Sequence, residues 1–201
     1  MGSALAVWHR YLDNPRPTFN GSPALDRQRG SYLGPAFQDD DVRRVIEARA
    51  AKATRLDDDI LLPKIASLLS EGKIIGWMSG RMEFGPRALG GRSILGDARN
   101  PQMQKRMNLK IKFRESFRPF APSVLAEHVS EWFDIDRESP YMLLVANVAK
   151  KHQIAMSAEQ EKLFGIEKLN VPRSTIPAAT HVDYSARIQT VHRETNPRYY
   201  D

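Results

Sequence analysis

Three stretches of this chain combine residue types suited to holding an anion. The first, GRMEFGPRALGGRSIL at residues 80–95, sets Arg81, Arg87 and Arg92 around Gly85, Pro86, Gly90 and Gly91. Glycine lets backbone amides approach a ligand closely, and arginine presents a planar fork of donors matched to phosphate or carboxylate oxygens. The glycine spacing and the missing Lys-Ser/Thr pair exclude both a Walker loop and a dinucleotide fingerprint. The chemistry that remains is phosphate capture, although a solvated basic loop has the same composition.

The second stretch, NLKIKFRESFRPFAPS at residues 108–123, alternates Lys110, Lys112, Arg114 and Arg118 with Ile111, Phe113, Phe117 and Phe120. On an extended segment, Lys110 and Lys112 fall on one face, and cations beside aromatic rings suit stacking of a purine. An amphipathic edge strand with exposed charge fits the same spacing. The third, THVDYSARIQTV at residues 180–191, places Arg187 and Gln189 on one side of a strand and Ala186 and Ile188 on the other. His181 and Asp183 form either a structural pair or an acid/base unit.

The charge is local. Of 201 residues, 30 are basic and 24 acidic, a net +6. Residues 81–118 carry ten basic groups against Glu83, Asp97 and Glu115, so this segment nets +7. With 41% apolar and 27% charged residues, the composition is that of a soluble globular protein. No apolar run approaches a membrane span and no signal peptide is evident, so a cytoplasmic location is expected. The absence of cysteine excludes disulfides, thiolate catalysis and cysteine-ligated metals, and five scattered histidines make a metal site in this chain a poor expectation.

The elements that must position these groups read as α/β. Residues 4–12 form a short helix with Leu5, Trp8 and Leu12 on one face, and residues 13–35 hold seven Pro or Gly, the composition of a linker. Asp39, Asp40 and Asp41 favour a helix start, with Val42, Val45 and Ile46 turned inward, and a second helix runs from Asp58 or Asp59 to a stop at Gly72. A buried strand follows at 73–78, with strand-like runs at 92–95, 119–125, 142–148 and 186–191 and helical stretches at 101–109 and 127–133. Residues 150–175 read as a polar excursion with a weak helix at 157–163, and Asn196-Pro197 as another helix start.

Taken in order, YLGPAF (32–37), GRMEFGPRALGGRSIL, NLKIKFRESFRPFAPS, SPYML (139–143), HVDYSARIQTV and NPRYY resemble the C-terminal region of the carbamoyltransferase family that includes nodulation-factor and antibiotic O-carbamoyltransferases. The resemblance covers residues 30–201. It implies a YrdC-like fold, a twisted open mixed sheet with flanking helices, at 57–201, preceded by a linker and crossing segment at 13–56. Residues 1–12 then correspond to the closing helix of an N-terminal, actin-like, metal-bearing domain.

In that family the YrdC-like domain joins carbamoyl phosphate and ATP into carbamoyl adenylate, and the other domain passes the carbamoyl group to an acceptor hydroxyl. The resemblance places the family's anion-binding residues on Arg87, Lys112, Arg118 and Arg187, with Arg81, Asn108 and Arg114 as supporting candidates. It implies ATP and carbamoyl phosphate as ligands, metal only on the N-terminal domain, and a separately encoded N-terminal half as a partner. Two positions depart from the pattern: Tyr184 stands for a usual glycine and Gly91 for a common asparagine. The family continues past NPRYY, so full transferase activity is not expected of this chain alone. The alternative from a different class is a nucleic-acid-binding module of YrdC-like fold using the basic 81–118 segment.

Overall fold

The computed structural model describes residues 2–16 and 28–201. The middle of the expected linker, residues 17–27, lies outside the described residues. The fold is mixed α/β, with α1 (Gly2–Ala6), α2 (Asp39–Ala48), α3 (Asp58–Ser70), β1 (Ile75–Met78), β2 (Arg92–Leu95), α4 (Met103–Met107), β3 (Ser123–Leu125), α5 (Val129–Trp132), β4 (Val145–Asn147), α6 (Ala158–Glu161), α7 (Gly165–Leu169), β5 (Ser185–Arg187), β6 (Gln189–Val191) and α8 (Pro197–Tyr200).

The strands pair in three short ladders: β1 with β2 antiparallel, β4 with β5 antiparallel, and β3 with β6 parallel. Because β5 and β6 are separated only by Ile188, residues 185–191 pair first with β4 and then with β3. This run joins a parallel and an antiparallel ladder. Its alternation is the one read from the sequence: Ala186 and Ile188 are fully buried in a core with Val129, Phe133, Val148 and Ile176, while Arg187 and Gln189 face the cavity described below. A smaller core of Met103, Met107 and Ala178 packs with Ile74, Ile94 and Phe120.

α3 ends as expected. Gly72 takes a left-handed φ of 76°, its amide donates to the Leu69 carbonyl at 2.8 Å, and the Lys73 amide donates to Leu68 at 2.9 Å. That pair is a Schellman closure, and it turns the chain into β1. In the excursion, α6 is fixed by reciprocal hydrogen bonds between Ser157 and Gln160.

Several expectations are corrected. α2 forms where expected, with the Asp41 carboxylate accepting the Gln38 amide at 2.9 Å, but Val42 and Val45 are exposed and only Ile46 is half-buried. This helix stands on capping and on surface ion pairs such as Arg55–Asp39 at 3.0 Å rather than on core packing. β1 buries Trp77 alone, because side chains alternate across the strand and Gly76 and Met78 lie on its exposed face. β3 begins only at Ser123 because Pro119 and Pro122 have no amide to give a ladder.

Lys110 and Lys112 are not on a strand. Residues Asn108–Lys112 continue α4 as a wide helical turn ending at Phe113, whose φ is 48°. His181 and Asp183 lie in the turn before β5 and meet through Ser185 instead of directly.

Candidate functional site

A cavity of about 820 Å³ lies among α3, the β1–β2 pair, the 108–122 segment and the 187–191 run. Its apolar wall includes Leu69, Ile94, Met103, Met107 and Ala178. Its polar lining is unbalanced: six basic side chains, from Arg87, Arg99, Lys112, Arg114, Arg187 and Arg198, against the carboxylates of Asp97 and Asp201.

Three of these cations are committed to protein partners. Arg99 bonds Asp97 at 2.9 Å and holds that carboxyl below its ordinary range. Arg198 pairs with Asp58 and lies 5.8 Å over Trp77. Arg114 donates to the Asn108 side-chain oxygen at 2.6 Å and lies 5.0 Å over Phe120.

The other three have no acid. Among the described residues, no hydrogen bond or ion pair is made by Arg87 or Lys112. Arg187 is half-buried and its Nε is a buried donor without an acceptor. Burial, and secondarily the charge of Arg87, pull the Arg187 pKa below its ordinary value. Two guanidinium groups repel each other here with no protein carboxylate between them. A buried unmatched charge is expensive, and an anion in the cavity would offset it.

The remaining sequence candidates sit differently. Arg118 pairs with Glu115 at 2.8 Å, is about half exposed, and is not among the residues lining the cavity. Arg81 donates to the Gly34 carbonyl at 2.7 Å and fastens residues 31–36 beside 81–84. Asn108 is wholly buried; its amide donates to the carbonyls of Ser116 at 3.1 Å and Arg118 at 2.8 Å, closing the loop that carries Lys112 and Arg114. It positions the loop from beneath.

The glycine-rich segment is not an open amide cradle. The Leu89 and Gly91 amides both donate to Oε1 of Glu83, at 2.5 and 2.8 Å, and the Gly90 amide donates to Ser93 at 3.0 Å. The Leu89 carbonyl accepts from Tyr32 at 2.6 Å and from Gln189 at 2.7 Å. Burial raises the Tyr32 pKa to about 12, so the phenol keeps its donor. Gly90 lies under the Tyr199 ring, where an added Cβ would meet ring carbon at 2.3 Å. Gly91 has no more room, since a Cβ would lie 2.8 Å from the Arg81 carbonyl oxygen. A side chain at position 91 therefore has no space in this packing.

Sequence reasoning missed Glu83, Ser123 and Tyr199. Ser123 donates to the Gln189 side-chain oxygen at 3.0 Å, so the Tyr199 hydroxyl, 2.8 Å away, donates to Ser123. This chain of bonds runs to the Leu89 carbonyl and ties the Arg87 loop to the 185–191 run that carries Arg187. The only advance signal was Gln189, two residues along from Arg187 on the same strand face.

Among the described residues, no group of His, Asp and Glu is arranged to hold a metal ion, and no helix is long and apolar enough to cross a membrane.

Comparison with known proteins follows the same residues. The model of the carbamoyltransferase C-terminus matches residues 66–201. An uncharacterized protein of Synechocystis sp. is 57% identical over all of this chain and 32% of its own length. Nodulation protein NolO of Bradyrhizobium diazoefficiens is 38% identical over all of this chain and 32% of its own. Nodulation protein NolNO of Sinorhizobium fredii is 39% identical over 90% of this chain and 24% of its own. The chain thus spans about a third or less of the length of the curated relatives it matches.

Proposed function

This chain belongs to the carbamoyltransferase family, and from that premise we propose that its cationic cavity holds the phosphates of carbamoyl phosphate and ATP while they are joined into carbamoyl adenylate. The products are phosphate and pyrophosphate, and the balance consumes one water. The observation that carries this reading is Arg187, with a buried, unmatched Nε beside Arg87 in a cavity whose lining has an excess of cations.

The chemistry assigned to the side chains is electrostatic. Arg87, Lys112 and Arg187 offset the repulsion between two polyanions and the charge that grows on transferring oxygens. Arg114 and Asn108 keep the 108–118 loop in place. Arg118 enters this reading by exchanging Glu115 for a ligand oxygen, and Arg81 contributes through the backbone it fastens.

Transfer to an acceptor hydroxyl, of nodulation-factor or antibiotic type, is proposed to need a second protein body that carries the metal. The uncovered face of Leu5, Trp8 and Leu12 supports docking of a separately encoded N-terminal half. Size-exclusion chromatography with and without that half tests this, and a monomer indifferent to it opposes docking. A cytoplasmic setting accords with ATP as substrate.

Calorimetric titration at low salt is expected to give saturable pyrophosphate binding that ATP competes away. No heat from pyrophosphate, ATP or carbamoyl phosphate removes the reading. A second reading, single-stranded nucleic-acid binding, draws on Phe113 and Phe117, which are 85% and 51% exposed on the basic 108–118 segment. It requires affinity that falls steeply with salt and is not displaced by ATP.

A further inference from the structure

Glu83 is the least exposed charged group near the cavity: its side chain has no accessible surface. A carboxylate in that setting demands donors, and it has three. The Leu89 and Gly91 amides share Oε1, at 2.5 and 2.8 Å, and Arg92 Nε reaches Oε2 at 3.2 Å. The other end of Arg92 donates to the Gly85 carbonyl at 2.6 Å, so one ion pair grips both ends of the 85–91 loop.

Converging amides of this kind ordinarily receive a phosphate or carboxylate from a ligand. Here the protein supplies the anion itself. Arg87 sits in the middle of that loop and, among the described residues, has no hydrogen bond or ion pair of its own. Arg87 is exposed, so what the fold fixes is the backbone that carries it, and that backbone is held by Glu83.

We propose that Glu83 is the positioning residue for Arg87: its buried carboxylate fills the amide nest of the 85–91 loop and so presents the Arg87 guanidinium to the cavity. The assignment rests on the phosphate reading of the cavity, but its structural half does not. Glu83 touches no ligand and acts only through the loop.

Glu83→Gln is the informative change, because it keeps the size and one carbonyl oxygen but turns an NH2 group toward the Arg92 Nε–H. Two measurements separate the two halves. Amide hydrogen exchange at Leu89 and Gly91 is expected to accelerate about 10-fold or more, with the β1–β2 ladder amides unchanged. Unchanged exchange at Leu89 and Gly91 overturns the pin.

The second measurement is a double-mutant cycle with Arg87→Ala, read by the pyrophosphate dissociation constant. Glu83→Gln is expected to raise it about 10-fold in the native background and less than about 2-fold when Arg87 is already alanine. Equal losses in both backgrounds overturn the assignment, since they mean that Glu83 serves the fold or another residue. If the native chain takes up no pyrophosphate, the phosphate reading has failed and the exchange measurement still decides whether Glu83 holds the loop. Arg92→Gln, at a half-exposed position, carries the same tests should Glu83→Gln not fold, with the same pattern expected at smaller amplitude.

Discussion

Among the described residues, Arg173 is buried and Arg187 half-buried, each with no acid to pair with, and they use their burial differently. Arg173 and Arg187 each have a buried Nε with no acceptor, and burial lowers the pKa of both. Arg173 turns its remaining donors onto backbone: Nη1 to the Val171 carbonyl at 3.1 Å and Nη2 to the Lys168 carbonyl, which it caps at the end of α7. Arg187 has no protein acceptor among the described residues, lines a large cavity, and lies within the field of Arg87. A guanidinium spent on its own neighbourhood is structural, whereas one opposed only by another cation has no protein group to offset its charge, which is the feature the proposed phosphate site relies on. Burial and a perturbed pKa alone do not tell them apart; the acceptors do.

The largest effect expected from that contrast is on binding. Arg187→Ala should weaken pyrophosphate binding by about 1.5–3 kcal/mol, the range for a charge-assisted hydrogen bond. Denaturation should show stability unchanged or improved, because the variant removes a desolvated charge and its repulsion from Arg87. An unaltered dissociation constant by calorimetry breaks the contrast at its stronger end.

Arg173→Met should behave in reverse. Two carbonyls lose a charged donor, so urea unfolding should report a loss of about 1–2 kcal/mol while pyrophosphate affinity stays within twofold, a span of about 0.4 kcal/mol. A drop in affinity comparable to that of Arg187→Ala would show that the two positions are coupled and that the division between structure and site is misplaced.

How much of this was legible in the residues depends on what each feature requires. The Arg187 and Gln189 face was readable because strand alternation is local, and the α3 stop was readable because Gly72 needs only its own left-handed φ. The three-ladder arrangement was not, since period-two patterns announce strands without naming their partners. Val42, Val45 and Ile46 announced an amphipathic helix, but periodicity does not say whether anything covers the apolar side. The pairing of Arg118 with Glu115 competes with any role in the cavity through a three-residue spacing that was open to inspection. Glu83 was counted only as one of three acids, because its function exists only once the backbone from 85 to 91 has closed around it.

A smaller effect concerns the turn that leads from the Arg173 region into β5. Tyr184 holds a φ of 66°, where a side chain is strained, and donates from its hydroxyl to the Ile154 carbonyl at 3.2 Å. Tyr184→Gly removes the strain and loses one exposed hydrogen bond, so a net gain of about 0.5 kcal/mol is expected in urea unfolding. If stability falls by more than about 1 kcal/mol, the hydroxyl contact matters more to this turn than the backbone does.

The finest discrimination between the two arginines comes from His181. Its pKa is lowered, first by burial, with the charge of Arg187 adding to the fall and Asp183 opposing it. Ser185 donates its one hydroxyl proton to Asp183 at 2.7 Å, so the His181 Nδ1–H donates to Ser185 at 3.1 Å, which fixes the neutral tautomer. Since the folded pKa lies below the unfolded one, the unfolded chain takes up the proton first as pH falls below about 6.5. The stability contributed by neutral His181 is therefore present above that pH and lost on acidification. Arg187→Ala removes one of the two lowering causes, so NMR titration of His181 should show its pKa rising toward the ordinary value, with a smaller loss of stability in acid. Arg173→Met should leave the titration where it is. A His181 curve that shifts with Arg173 and not with Arg187 would mean that the field in this turn comes from the structural arginine, and that Arg187 is better compensated in the folded protein than its missing acceptor implies.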